Sequence, residues 1–186
     1  MAEFDYDKLM QRIGEFVVSF QWMENKFRDI GWLIDDPERK NWPPATLRNL
    51  KNFDLRNLQN FDLLNAVETK YCDLMDTLNI DDAKDRKTAF NELVAKCHEL
   101  RKYRNNLLHS AFSELKAGGD VMGILRSNPK ITFDPATDDP VFDHEDLTED
   151  SVISKMKEMG EPAMALNMTY MQLIHWAPFT QLQSTA

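Results

Sequence analysis

The constraint that most limits the fold of this chain lies near its start. Leu9, Ile13, Phe16, Val17, Phe20, Met23, Phe27, Ile30 and Ile34 follow one another mainly in steps of three and four residues. On a helix this spacing collects them into one apolar stripe about eight turns long. The predicted helix runs from about Asp5 to Asp35. Asp36-Pro37 ends it, and Trp42-Pro43-Pro44 keeps the following chain out of a helix, because proline lacks the amide donor and restricts the residue before it. So long a one-sided helix has to bury its stripe against other elements.

Those elements are legible further along. Thr46 to Leu58 is short and basic, and Leu63, Leu64, Val67, Tyr71, Leu74, Met75 and Leu78 form a second helical stripe. Asn79 to Asp82 reads as a turn, with Asp81 or Asp82 placed to cap a third helix. That helix carries Phe90, Leu93, Val94, Cys97, Leu100, Leu107, Leu108 and Ala111 on one side. Gly118-Gly119-Asp120 closes the region. Val121 to Leu125 and Lys130 to Phe133 read as the strands of a small hairpin joined by Arg126-Ser127-Asn128-Pro129. Thr148 can cap a last helix with Glu149 and Asp150 in its first turn, running to about Trp176 and kinked or divided at Gly160-Glu161-Pro162. The expectation is an all-α, up-and-down bundle of four to five helices in a single domain over 1–186, with a hairpin and acidic loop inserted at about 118–150 before the last helix.

Composition narrows the function classes. With 42% hydrophobic residues, 28% charged residues, 6 Gly and 8 Pro, the chain is neither disordered nor low-complexity. At 186 residues it can bury roughly 70% of its unfolded surface and needs no disulfide or structural metal. Cys72 and Cys97 form no C-x-x-C pair and read as small buried hydrophobes in a reducing compartment. The first eight residues carry Glu3, Asp5 and Asp7 where a secretory signal would be basic, and no apolar run approaches a membrane span. A cytoplasmic protein with no membrane partner is expected.

The formal charge of -9 argues at first against a polyanionic partner. Eight acidic residues and no basic one lie between Asp134 and Asp150, however, which leaves 22 basic against 23 acidic residues elsewhere. The acidic stretch reads as a solvated loop, since it lacks the ligand order of a calcium loop. Lys84 to Arg104 holds seven basic residues against three acidic ones, a surface that could attract an anion or simply a charged helix face. No Gly-rich phosphate loop, nucleophile elbow or zinc-helix motif is present, so neither metal nor cofactor is expected. Trp22, Trp32, Trp42 and the ten Met read as core rather than as stacking platforms.

One side chain breaks the pattern. At 100° per residue, Leu93, Cys97, Leu100, Leu108 and Ala111 all fall within about 40° of Arg104, which puts a cation in the middle of an apolar stripe. Such a group must be paired with a core carboxylate, reach an edge, or line a polar cleft or interface. Asn105 and His109 stand beside the stripe one turn apart, and histidine can give or take a proton near neutral pH.

The run Arg101-Lys102-Tyr103-Arg104-Asn105-Asn106-Leu107-Leu108-His109-Ser110 resembles the R-N-x-x-x-H form of the HEPN superfamily motif, late in a long amphipathic helix of an all-α chain. The resemblance covers six residues closely and the rest only in architecture. It implies a helical bundle that forms a homodimer. It implies further a metal-independent endoribonuclease of a toxin-antitoxin, phage-defence or RNA-processing system, or a relative that has lost activity and binds RNA or a cognate protein partner. By position, Arg104 and His109 would be the catalytic pair and Asn105 a polar positioner, with Arg101 and Lys102 binding RNA. Some members carry a Tyr two residues after the His; here that position is Ala111. An ideal helix places Arg104 and His109 about 140° apart. The two would therefore meet one phosphate only if the helix end distorts or two chains face one another across a two-fold axis that buries the C-terminal half of the motif helix.

Overall fold

A computed structural model describes residues 4–39, 55, 58–176 and 179. The expected basic segment Thr46–Leu58 and the proline break at Trp42-Pro43-Pro44 lie almost wholly outside those residues. Among the described residues, four long helices and two small antiparallel sheets are formed: α1 (Tyr6–Asp35), α2 (Asn60–Leu78), α3 (Ala83–His109), β1 (Ala111–Ala117), β2 (Asp120–Ser127), β3 (Thr132–Phe133), β4 (Pro140–Val141), β5 (His144–Leu147) and α4 (Glu149–His175). The fold is mostly helical with a β insert before the last helix. None of the described helices is long and apolar enough to cross a membrane. The chain falls into two compact units, Met1–Phe20 with Lys102–Glu158 and Gln21–Arg101 with Met159–Ala186, and α1, α3 and α4 each contribute a segment to both.

Local chemistry sets the helix limits. The Asp5 carboxylate accepts the Lys8 amide at 2.9 Å and caps α1. The stripe then buries Leu9, Phe16, Phe20, Met23, Phe27, Ile30 and Leu33, and the helix stops at Asp35 before Pro37. Asn79 ends α2 in the left-handed conformation (φ 47°, ψ 49°), a geometry asparagine tolerates. Asp82 immediately precedes α3, and its carboxylate holds the Arg86 guanidinium one turn on, at 2.8 Å. Thr148 and Ser151 form a reciprocal cap on α4: the Ser151 amide donates to Thr148 Oγ1 at 3.1 Å and the Thr148 amide to Ser151 Oγ at 3.2 Å. Val152, Met159, Leu166 and Leu173, each seven residues after the last, are buried along α4. The expected division at Gly160-Glu161-Pro162 does not occur; α4 passes through Pro162 unbroken.

In the unit of Gln21–Arg101 and Met159–Ala186, Tyr71 stacks on Phe90 (centroids 4.1 Å) and Phe27 meets Phe90 edge-on at 6.4 Å. Gly31 lets Leu55 and Val67 pack close against α1, since a Cβ there would stand 2.5 Å from Leu55 and 3.2 Å from Val67. Gly31→Val should therefore lower stability by about 1–3 kcal/mol through overpacking, measurable as a fall in thermal midpoint. Trp22, expected in the core, is instead half exposed, because its place on α1 lies outside the buried series.

In the unit of Met1–Phe20 and Lys102–Glu158 the hairpin differs from the expected one. β1 pairs with β2 across Gly118 and Gly119, whose φ values of 64° and 102° suit a two-residue turn that needs positive φ at both positions. Ala111, expected on the α3 stripe, begins a strand, and Val121 to Leu125 pairs with β1 and β5 instead of with Lys130 to Phe133. Thr132-Phe133 pairs with Pro140-Val141. The acidic stretch is accordingly not all solvated loop: His144–Leu147 is the third strand of the β1-β2-β5 sheet.

Candidate functional site

The motif residues occupy the last two turns of α3. Tyr103 is seated first: its ring meets Phe16 edge-on at 5.2 Å, and the Lys155 ammonium lies 5.7 Å from its centre. Burial, reinforced by the Glu145 charge, pushes the Tyr103 phenol up to about 12, so it serves as packing and not as a base at neutral pH. Arg104 follows, half-buried as its place on the apolar stripe requires. One terminal nitrogen donates to Asn105 Oδ1 at 3.0 Å. Its Nε is buried without a hydrogen-bond partner, and among the described residues no carboxylate pairs with it. The structural reading, a core Arg neutralised by a buried acid, is therefore not the arrangement found among the described residues.

His109 is the last residue of α3, exposed, and hydrogen-bonded to none of the described residues. The helix is regular up to it, so five residues of α-helix leave Arg104 and His109 about 140° apart in direction and about 7.5 Å apart along the axis. One chain brings Arg104 to Asn105 and leaves Asn105 one turn from His109, but it does not bring Arg104 to His109. Lys102 is exposed on the same helix. Arg101 is engaged elsewhere: its guanidinium lies 5.1 Å from the centre of the Phe61 ring, and its Nε faces His98 Nδ1 at 3.4 Å.

The basic run that leads into the motif is partly neutralised. Arg86 pairs with Asp82, Lys87 with Asp76 and Lys96 with Glu161. These exposed pairs are individually weak, but they offset three of the seven charges in the run. Arg104 stands out because its charge is half-buried and, among the described residues, unmatched.

A second polar cluster, which sequence reasoning missed, holds the chain just past His109. Arg126 on β2 is only 4% exposed. Its guanidinium donates to Ser110 Oγ at 3.1 Å, to Asp143 at 2.9 Å and to Glu145 at 2.9 Å. The hydrogen bond from Arg126 draws the Asp143 carboxyl below its ordinary range, against the opposing effect of burial. Arg126 is also the register partner of Phe112. It thus grips the junction between α3 and β1 through the Ser110 side chain and through the ladder, and so fixes the direction in which the helix ends at His109. Only strand pairing brings these residues together. The same is true of Ser127 and His144, register partners whose side chains meet at 2.8 Å.

A pocket of about 370 Å³ lies in the same unit, walled by Tyr6, Met10 and Ile13 of α1, Leu107 and Leu108 of α3, and Phe112, Glu114 and Ile124 of the sheet. It is apolar apart from Glu114, and neither Arg104 nor His109 lines it. Among the described residues no group of three or more His, Cys, Asp or Glu stands together to hold a metal ion. No protein family, curated protein or solved structure matches this chain.

Proposed function

We propose that the chain is a HEPN-like, metal-independent endoribonuclease that cuts RNA with Arg104 from one copy and His109 from another. The observation that carries this reading is the state of Arg104: a half-buried guanidinium tied to Asn105, with no carboxylate among the described residues to neutralise it. A cation held in that way is matched by an anion from outside, and a planar fork suits phosphate oxygens. His109, exposed at the helix end, supplies the base. It takes the proton of the ribose 2′-hydroxyl, and the oxygen attacks the adjacent phosphorus. The bond to the 5′-oxygen then breaks, water returns a proton to that oxygen, and a 2′,3′-cyclic phosphate is left. Arg104 stabilises the charge that builds on the phosphoryl oxygens. Because a regular α3 separates the two groups by about 140°, a two-fold pair of chains is part of the reading.

The second reading is a non-catalytic dimer that binds a protein partner or RNA. It is favoured by the absence of any described group orienting the His109 imidazole, since a general base is commonly held by a neighbour. Purified protein incubated with mixed RNA and with DNA separates the two. Cleavage of RNA that survives EDTA, yields cyclic-phosphate ends and spares DNA is the expected result. Equal cutting of DNA, or loss of activity with EDTA, rejects the nuclease reading.

A further inference from the structure

The sheet β1-β2-β5 has two edges, and they are unlike. β5 is four residues long and carries Glu145 and Asp146, the shortness and charge by which natural edges avoid pairing. β1 is seven residues long, and every one of them is exposed. It shows Phe112 and Leu115 to solvent at 44% and 42%, beside Leu108 at 45% and Met122 at 53%. The irregularity in the β1-β2 ladder falls on β2, where Met122 is passed over between Gly123 and Val121, so β1 itself keeps an uninterrupted two-residue alternation. Among the described residues no strand pairs with its outer row of amides and carbonyls.

The charge pattern of β1 indicates which strand fits. Ser113-Glu114-Leu115-Lys116-Ala117 reads as small, acid, Leu, base, small, and its reverse as small, base, Leu, acid, small. An antiparallel second copy centred on Leu115 therefore sets Glu114 over Lys116 twice, Leu115 over Leu115 and Ser113 over Ala117. Glu114 and Lys116 already attract within one strand, at 2.8 Å. Two copies of a chain carrying a charge of -9 repel at long range, so a self-contact needs a surface that is neutral locally, and β1 carries one acid and one base.

We propose that β1 is a self-association edge: two copies join it antiparallel about Leu115, extending each three-stranded sheet into one of six strands. On this register the two His109 stand six residues either side of the axis, roughly 40 Å apart, so the edge does not by itself assemble the Arg104-His109 site. The proposal goes beyond the nuclease reading and does not depend on it. If both faces are used, assemblies larger than a dimer form, and removing the edge contact halves them.

The test is the mass in solution at tens of micromolar, by light scattering, with cysteine pairing as a register gauge. Glu114→Lys should halve the mass by placing Lys opposite Lys at two symmetric positions, weakening association about tenfold or more. Adding Lys116→Glu to that variant should restore the mass. Leu115→Cys should form a disulfide-linked pair under mild oxidation, because directly opposed residues lie about 4.5–5.5 Å apart at Cα, within disulfide reach. Ser113→Cys and Ala117→Cys chains should link only when mixed. Arg104→Ala and His109→Ala chains should associate as the parent does through this edge, which separates the test from the nuclease reading. A parent mass unchanged by Glu114→Lys, a monomeric parent, or Ser113→Cys linking to itself as readily as Leu115→Cys would each overturn the proposal.

Discussion

His109→Ala and Arg104→Ala should each lower RNA cleavage by about 10²-fold or more, a loss of about 3 kcal/mol of transition-state stabilisation, while circular dichroism and thermal midpoint stay close to the parent. Arg104→Lys should recover only part of the rate, because an ammonium lacks the planar fork. The two inactive chains should also complement each other. If each site takes its Arg from one copy and its His from the other, random mixing gives half heterodimers, and each of these has one intact site of two. The mixture should then regain about a quarter of the parent rate. Mixtures as inactive as their components would show that both groups act from one chain, and a fully active His109→Ala protein would end the nuclease reading.

The largest stability effect is expected at Arg126. Its side chain is 5% exposed, whereas those of Asp143 and Glu145 are 42% and 29% exposed. Removing the cation leaves two carboxylates that can still reach water, so the cost falls somewhat below that for breaking a fully buried ion pair, at about 2–3 kcal/mol. For a chain of this size that corresponds to a drop of roughly 5–10 °C in midpoint for Arg126→Met. Arg126→Lys should lose less, keeping the charge but not the three-way fork. The effect should depend on pH with a definite sign. Folded Asp143 titrates below its ordinary value because Arg126 donates to it. The pair therefore stabilises the parent above the ordinary carboxylate value near pH 4, and that contribution fades as pH falls through the lower folded value. Parent and Arg126→Met curves should approach each other as pH falls below the ordinary carboxylate range; a gap that stays constant through that fall would show that the ion pair contributes nothing there.

The long helices could be read from the chain because helix periodicity is local. Nine apolar residues in α1 announce a buried stripe wherever the helix lies, Asp5 and Thr148 cap the residues three positions on, and Pro37 follows the end of α1 whatever its surroundings. The motif was legible for the same reason: the 140° between Arg104 and His109 is a property of the helix alone. The β insert and two of its strands, β2 and β3, were legible; β1, β5 and the pairing were not. Gly118-Gly119 can follow a helix or turn a hairpin, and nothing within Ala111–Ala117 chooses between α3 continuing and β1 beginning. The choice depends on β2 and β5 being present to pair. That pairing joins Arg126 to residues 17 and 19 positions further on. It converts part of an acidic stretch that looked solvated into the counter-charge of a buried cation. Arg104 divides along the same line. Its place on an apolar stripe follows from spacing, whereas the absence of a described carboxylate partner was decided by which side chains the tertiary fold brought near, since a cation is neutralised by neighbours in space and not by neighbours in sequence.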